Sequence, residues 1–294
     1  VNSGFDYREQ IGARDAGRTV LEHLARRYRH SPEEEWRGRL HRGEVYLGDR
    51  RAGADDRLPA GATLLWRRPP WEEPAVPLSF AVLHRDEDLL AVAKPRGLPT
   101  VPNGGFLTHT LLHRVTAMFP GATPLHRLGR GTSGLVLFAR SEAARRGLSA
   151  AWRDGRVHKV YRALVRGHPP SEAFTVRTPI GLVPHPRLGR VHAARNDGKA
   201  ALSHVRRLAS RGDASVVEVT IPTGRPHQIR IHLAAAGHPL VGDPLYVAGG
   251  RPGPAPGLPG DLGYFLHAHR LAFAHPTTGR ELVLECPLPR ELQA

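Results

Sequence analysis

The chain has a single cysteine, Cys286, in 294 residues. An intramolecular disulfide is therefore impossible and a cysteine-rich zinc site is excluded. No apolar run approaches the roughly 18 residues a membrane helix needs. The first residues, VNSGFDYREQ, are polar where a secretory leader would carry an apolar core. These features predict a cytoplasmic protein with no membrane segment. Lysine is scarce, with only Lys94, Lys159 and Lys199, and acidic residues number 27 against 42 basic ones, for a net charge of +15. The preference for Arg over Lys, with abundant Ala, Gly and Pro, fits a GC-rich coding sequence. That bias does not explain the excess of base over acid. A chain this basic attracts polyanions, nucleic acid foremost. An anionic membrane is the weaker alternative, because no amphipathic anchor is evident.

The length favours two domains, each able to bury a core. In the first, Val20, Leu21, Leu24, Ala25 and Tyr28 recur at helical spacing across Thr19 to His30. A second helix is expected to start at Ser31-Pro32-Glu33-Glu34, with Ser31 as cap and Glu34 completing a capping box. VYLGD and ATLLWRR (Ala62 to Arg68) read as strands. The proline-rich run Arg67 to Pro77 breaks both periodicities and marks the linker, giving domains 1–72 and 73–294. Beyond it LLAVAKP, SGLVLFAR, VYRALV and SVVEVTIP read as strands. Thr108 to Met118 and Glu142 to Trp152 read as helices, and Val247 to Gly263 as a Gly/Pro loop. The order lacks a clean βαβ repeat, so the class is α+β.

Two segments concentrate polar chemistry. HRLGRGTSGLVLFAR (His126 to Arg140) contains G-x-G-x-x-G at Gly129, Gly131 and Gly134. A dinucleotide site requires a helix after that motif, because the helix N-terminus holds the pyrophosphate. Leu135 to Phe138 read as a strand instead. A nucleophile elbow and a P-loop fail on spacing. What remains is a tight turn edged by Arg127 and Arg130. TGRPHQIRIHLAAAGHPLVGDPLY (Thr223 to Tyr246) carries Arg225, His227, Gln228, Arg230 and His232. His227 and His232 lack the helical i, i+4 relation of a zinc pair, so no metal is expected. Read as a strand, the segment puts Arg230 and His232 on one face. A buried Arg230 would then need an anionic partner.

Taken together, H-R-L-x-x-x-T-S-G-L resembles the second motif of the RluA-type RNA pseudouridine synthases, and the family's other motifs follow in order. Lys94-Pro95-Arg96-Gly97-Leu98 resembles the first, Lys159-Val160-Tyr161 the K-x-Y element, and GRPHQIRIH the third. GHPLVGDPLY and LHAHRLAFAHP (Leu266 to Pro276) complete the likeness, which spans about Ser79 to Pro289. RGRLHRGEVYLGD (Arg37 to Asp49) is similar to the ribosomal S-four-type RNA-binding domain.

The resemblance implies the pseudouridine synthase fold, a mixed and largely antiparallel sheet with flanking helices, behind a small N-terminal α/β RNA-binding domain. It implies isomerisation of uridine to pseudouridine in structured RNA (rRNA or tRNA), without a cofactor, by a monomer. By position, Tyr161 would stack on the flipped base and take the carbon-5 proton. Arg230 would pair with the motif's carboxylate, and Arg127 would hold the flipped conformation. Arg130, His126, Arg225 and Gln228 are expected on the RNA side, with His126 and Gln228 also bracing the motif backbones. The aspartate expected after H-R-L is Gly129, which can be neither nucleophile nor counter-ion. The alternative is therefore a family member that binds or remodels RNA without turnover. Asp86, Asp88, Asp197 and Asp243 lie outside the motif, and Asp243 is read as structural.

Overall fold

The structure, a computed structural model, describes residues 1–29 and 31–294. The end of the first expected helix, His30, lies outside the described residues. The chain divides into two compact units, Val1–Glu73 with His185–Arg190, and Pro74–Pro184 with Val191–Ala294.

The first unit is ordered β1 (Phe5–Gln10), α1 (Val20–Arg27), α2 (Glu33–His41), β2 (Val45–Leu47), β3 (Arg50–Arg51) and β4 (Thr63–Arg68). Helix α1 starts where its chemistry directs. The Thr19 side chain accepts from the Glu22 amide, and the Glu22 carboxylate accepts from the Thr19 amide, closing a capping box. The cap expected at Ser31 does not form. Pro32 is the N-cap residue without a side-chain bond, and the Ser31 hydroxyl accepts from Arg39 instead. Strands pair in the order β1-β4-β2-β3. Val20, Leu21, Leu24, Trp36, Leu40, Val45 and Leu64 form the core.

The second unit contains β5 (Ala81–Arg85), β6 (Leu89–Lys94), α3 (Leu111–Met118), β7 (Thr123–Pro124), β8 (Ser133–Ala139), α4 (Glu142–Arg153), β9 (His158–Arg166) and β10 (Ala173–Val176). A hairpin β11 (Ile180–His185) and β12 (Gly189–Ala194) follows, then β13 (Ser203–Arg211), β14 (Ala214–Thr220), α5 (Gln228–Ala235), β15 (Tyr246–Val247), β16 (Arg251–Pro252), β17 (Leu266–Ala274) and β18 (Glu281–Glu285). A ten-stranded sheet runs β10-β13-β14-β9-β17-β8-β6-β5, with β18 on β17 and β7 on β8. Its pairings are antiparallel apart from β8 with β17. This is the mixed, mostly antiparallel sheet with helices that the resemblance implied. No helix among the described residues is long and apolar enough to cross a membrane.

Strand β17 is the seam of this sheet. Its first residues pair with β8 in the register His267↔Ser133 and Ala268↔Gly134, and the same strand pairs with β9 at Ala268↔Tyr161. Gly134 has φ +112°, and a Cβ there would lie 2.3 Å from the Ala268 carbonyl oxygen. Only glycine admits that approach. Gly134, Ala268 and Tyr161 thus form one row across three adjacent strands.

The expected strand at Gln228–Ala235 is the helix α5. Its residues are buried almost throughout, so the apolar run carried no period to distinguish helix from strand. In a helix Arg230 and His232 diverge instead of sharing a face. The Gly/Pro loop after Val247 contains the short β15–β16 ladder.

Candidate active site

The turn that precedes β8 runs from an exposed Gly129 to a buried Thr132. It is closed by the Thr132 amide donating to the Gly129 carbonyl at 3.0 Å. The first-motif loop is tied to it. Lys94, 1% exposed, donates to the carbonyls of Pro95 (2.9 Å), Leu98 (2.6 Å) and Arg130 (3.4 Å), and burial lowers its ammonium to about 7. The Arg130 carbonyl also accepts from the Gly97 amide. The Arg130 side chain donates to the Gly97 carbonyl and lies 5.1 Å over Phe106. Arg127 is exposed.

Helix α5 holds Arg230 beneath this region. The guanidinium makes a two-pronged pair with Asp243, Nε to Oδ2 and Nη2 to Oδ1 both at 2.7 Å, and Nη1 donates to the Pro259 carbonyl at 2.9 Å. The two side chains are 3% and 1% exposed. Burial opposes the charge, but the Asp243 hydrogen bonds and charge prevail and raise the Arg230 pKa. Asp243 Oδ1 also accepts from the Leu245 and Tyr246 amides. All of its bonding capacity in view is turned toward Arg230 and its own loop. The partner expected at position 129 is thus supplied by the aspartate read as structural. Asp243 settles the charge of Arg230 without standing in the motif turn.

Tyr264 lies between Arg230 and the turn. The Arg230 Cζ is 4.3 Å from its ring centroid, and its hydroxyl is 3.4 Å from Thr132 Oγ1. Tyr161 packs against both the cluster holding Tyr264, Ile229 and Leu266 and the cluster holding Leu98, Leu128 and Ala268. That places it beside the turn, half-buried, with its hydroxyl raised to about 12 by burial.

Two residues expected to face RNA bond to the motif backbones instead, His126 half-buried and Gln228 buried. His126 Nε2 accepts from the Leu137 amide at 3.1 Å and its ring stacks on Trp152 at 4.7 Å. Burial, then the Lys159 charge, lower its pKa to about 3. Gln228 is 3% exposed, its Oε1 accepting from Thr223 and the Arg225 amide while its Nε2 donates to the Leu202 carbonyl and Ser203. Both brace the motifs, Gln228 through both ends of its amide and His126 through Nε2. Arg225 is half-buried and donates to the Ala200 carbonyl. His227 opens α5 at φ +56° and bonds the Tyr246 hydroxyl at 2.7 Å. Its pKa falls to about 3 through burial first, with the charges of Arg230 and Arg127 contributing.

Sequence reasoning missed Tyr264, the partner role of Asp243 and the buried Lys94. No local pattern singles out Tyr264, because its significance lies in what it touches 132 residues away.

A family model described as RNA pseudouridylate synthase matches residues 88–235. An uncharacterized RNA pseudouridine synthase of Synechocystis is 44% identical, with 93% of this chain and 95% of that protein covered. RNA pseudouridine synthase 5 of Arabidopsis thaliana is 35% identical across 100% of this chain and 95% of its own. Ribosomal large subunit pseudouridine synthase D of Neisseria meningitidis is 32% identical over 93% and 75%. Among solved structures, human RNA Pseudouridylate Synthase Domain Containing 1 superposes with a TM-score of 0.58 at 26% identity, covering 76% of this chain and 89% of that one.

Proposed function

The chain belongs to the RNA pseudouridylate synthase family, an isomerase family, and from that premise we propose that it converts uridine to pseudouridine in structured ribosomal RNA. The ribosomal assignment follows the Neisseria relative's name. The target nucleotide must leave its stack, at a cost of a few kcal/mol. Tyr161 stacks on the extruded base, Arg127 holds the displaced backbone, and Arg130 and Arg225 contact neighbouring phosphates. Residues 1–72 supply a second RNA contact of the S-four type. The protein acts as a cytoplasmic monomer and uses no cofactor.

The observation that carries this reading is the position of Tyr161, in one row with Gly134 and Ala268 and packed against the clusters of Leu128 and Tyr264. The test is a comparison of RNA from wild-type and deletion strains, in which one ribosomal pseudouridine should disappear. Purified protein should then release tritium from carbon-5-labelled uridine in that RNA. Gly129 favours a second reading, RNA binding without turnover. An inert wild type, with activity gained by Gly129→Asp, would select it.

A further inference from the structure

Among the described residues, three arginines have an Nε that is sealed from solvent and makes no hydrogen bond: Arg18, Arg96 and Arg162. Two of them face a carboxylate. Arg18 Nε lies 3.3 Å from Asp15 Oδ1, and Arg162 Nη2 lies 3.0 Å from Glu218 Oε2. Arg96 has neither an ion pair nor a hydrogen bond at any guanidinium nitrogen among the described residues. What it touches is the Phe265 ring, with its Cζ 4.7 Å from the centroid. The ring face supports a cation but offers no acceptor to its N–H groups. The residue is half-buried, and Nη1 and Nη2, unlike Nε, remain open to solvent. A cation partly stripped of water and left without an anion is costly, so the unmatched charge calls for a reason.

Its position supplies one. Lys94 and Gly97, on either side of Arg96, both bond to the Arg130 carbonyl of the motif turn. Leu98 packs in the cluster that Tyr161 joins. The Phe265 carbonyl accepts from the Leu164 amide on β9, the strand of Tyr161. The loop and the ring that carry the guanidinium are thus fastened to the turn and to that strand. The other arginines of the site are already engaged, Arg130 with the Gly97 carbonyl and Arg230 with Asp243.

We propose that Arg96 is a phosphate-binding residue, whose open Nη edge takes a phosphodiester of the RNA strand carrying the extruded uridine. For the identity of that RNA this rests on the pseudouridine synthase reading above. A phosphodiester bears one negative charge on two terminal oxygens, which match the paired donors of a guanidinium. The anion missing from the free protein is then brought by the substrate. Phosphate contacts fix a strand's register without reading its sequence. Arg96 therefore sets the backbone while Tyr161 receives the base.

The test uses the full chain and stem–loops bearing the uridine that loses its modification in the deletion strain. Each stem–loop carries one uncharged methylphosphonate linkage, moved stepwise along the strand around that uridine. At one linkage, wild-type binding should weaken about 10-fold, the worth of a charge-assisted hydrogen bond. Arg96→Gln should bind that stem–loop and its unmodified parent equally, the coupling expected of two groups in contact. On the parent RNA, Arg96→Gln should lower the log–log salt slope by about 0.7–0.9. Its thermal midpoint should stay at or above the wild-type value, since no ion pair is lost. Additive effects at every linkage would overturn the assignment, while tritium release by the wild type would leave the synthase reading standing. If Arg96→Gln fails to fold, additive effects in Arg96→Lys, which keeps the charge but loses the paired donors, would overturn it. A deletion strain that loses no pseudouridine would overturn the synthase reading, and this assignment with it.

Discussion

The first 73 residues carry 14 arginines against 13 acidic residues, whereas residues 74–294 carry 28 basic against 14 acidic. The chain's net charge therefore resides almost entirely in the larger part. Aromatic residues are distributed the other way: three of the four tryptophans, Trp36, Trp66 and Trp71, lie in the smaller part. There Arg39 is held between Trp36 and Trp66, at 4.3 and 4.2 Å from their rings, and Tyr7 stacks on Trp66 at 5.1 Å. Phe5 and Tyr7 are 46% and 40% exposed. In the larger unit the buried Arg230 is instead neutralised by a buried carboxylate. A basic composition thus says that RNA is attracted, without saying that the domain resembling an RNA-binding module does the attracting. On the proposed function, long-range attraction falls to the larger unit and short-range stacking to the smaller.

The largest contrast should appear in stability. Asp243→Asn strands a buried guanidinium and should cost about 3–5 kcal/mol, read by urea denaturation. Arg39→Met should cost much less, because its partner Glu35 is 47% exposed and can rehydrate. Equal losses would break the comparison. Acid comes next. Burial holds His126 and His227 near 3 and His267 near 4, all below the ordinary 6.5. The unfolded chain binds the extra protons first as pH falls. Stability is therefore full above pH 6.5 and declines toward pH 4, by roughly 1.4 kcal/mol per pH unit for each histidine. Thermal melts monitored between pH 7 and 4.5 should show this loss, and it should shrink in His267→Asn. A pH-independent midpoint would contradict it.

Binding effects should be smaller. Tyr7→Ala should weaken RNA affinity by about 1–3 kcal/mol, as expected for a lost stacking surface, while leaving the salt dependence unaltered. Arg127→Gln should do the reverse, changing affinity modestly but reducing the log–log salt slope by about 0.7–0.9, the value for one lost phosphate contact. Filter binding across a salt series measures both. A salt slope altered by Tyr7→Ala and untouched by Arg127→Gln would reverse the proposed division.

Elements with a marked period or cap were legible in the sequence. The Thr63–Arg68, Leu89–Lys94 and Ser133–Ala139 strands and the Glu142–Arg153 helix are found close to their expected bounds. The strand after Gly134 also removes the dinucleotide reading of the G-x-G-x-x-G run. The first strand, FDYREQ, was not legible, because it is largely exposed and its alternation stops after Phe5 and Tyr7. The Gln228–Ala235 helix was hidden for the opposite reason, being buried on every side. At the site, ordered motifs indicated Tyr161, Arg127 and Arg230. Asp243 and Tyr264 became visible only through contacts that no spacing rule encodes. His126 and Gln228 look like ligand-facing donors in one dimension, yet His126 Nε2 is held by Leu137 and the Gln228 amide by Leu202 and Ser203.

The parallel pairing of β8 with β17 has a consequence in time as well as in space. Ser133 and His267, which bond at 2.9 Å, are 134 residues apart. Ribosomes extend a chain from its N-terminus, so the row of Gly134, Ala268 and Tyr161 cannot be assembled until β17 has emerged. Long-range pairings of this kind form slowly, because loop closure must precede the contacts that reward it. The newly made chain should therefore pass through an interval in which the residues of β8 and β9 have emerged but the row that joins them through β17 has not formed.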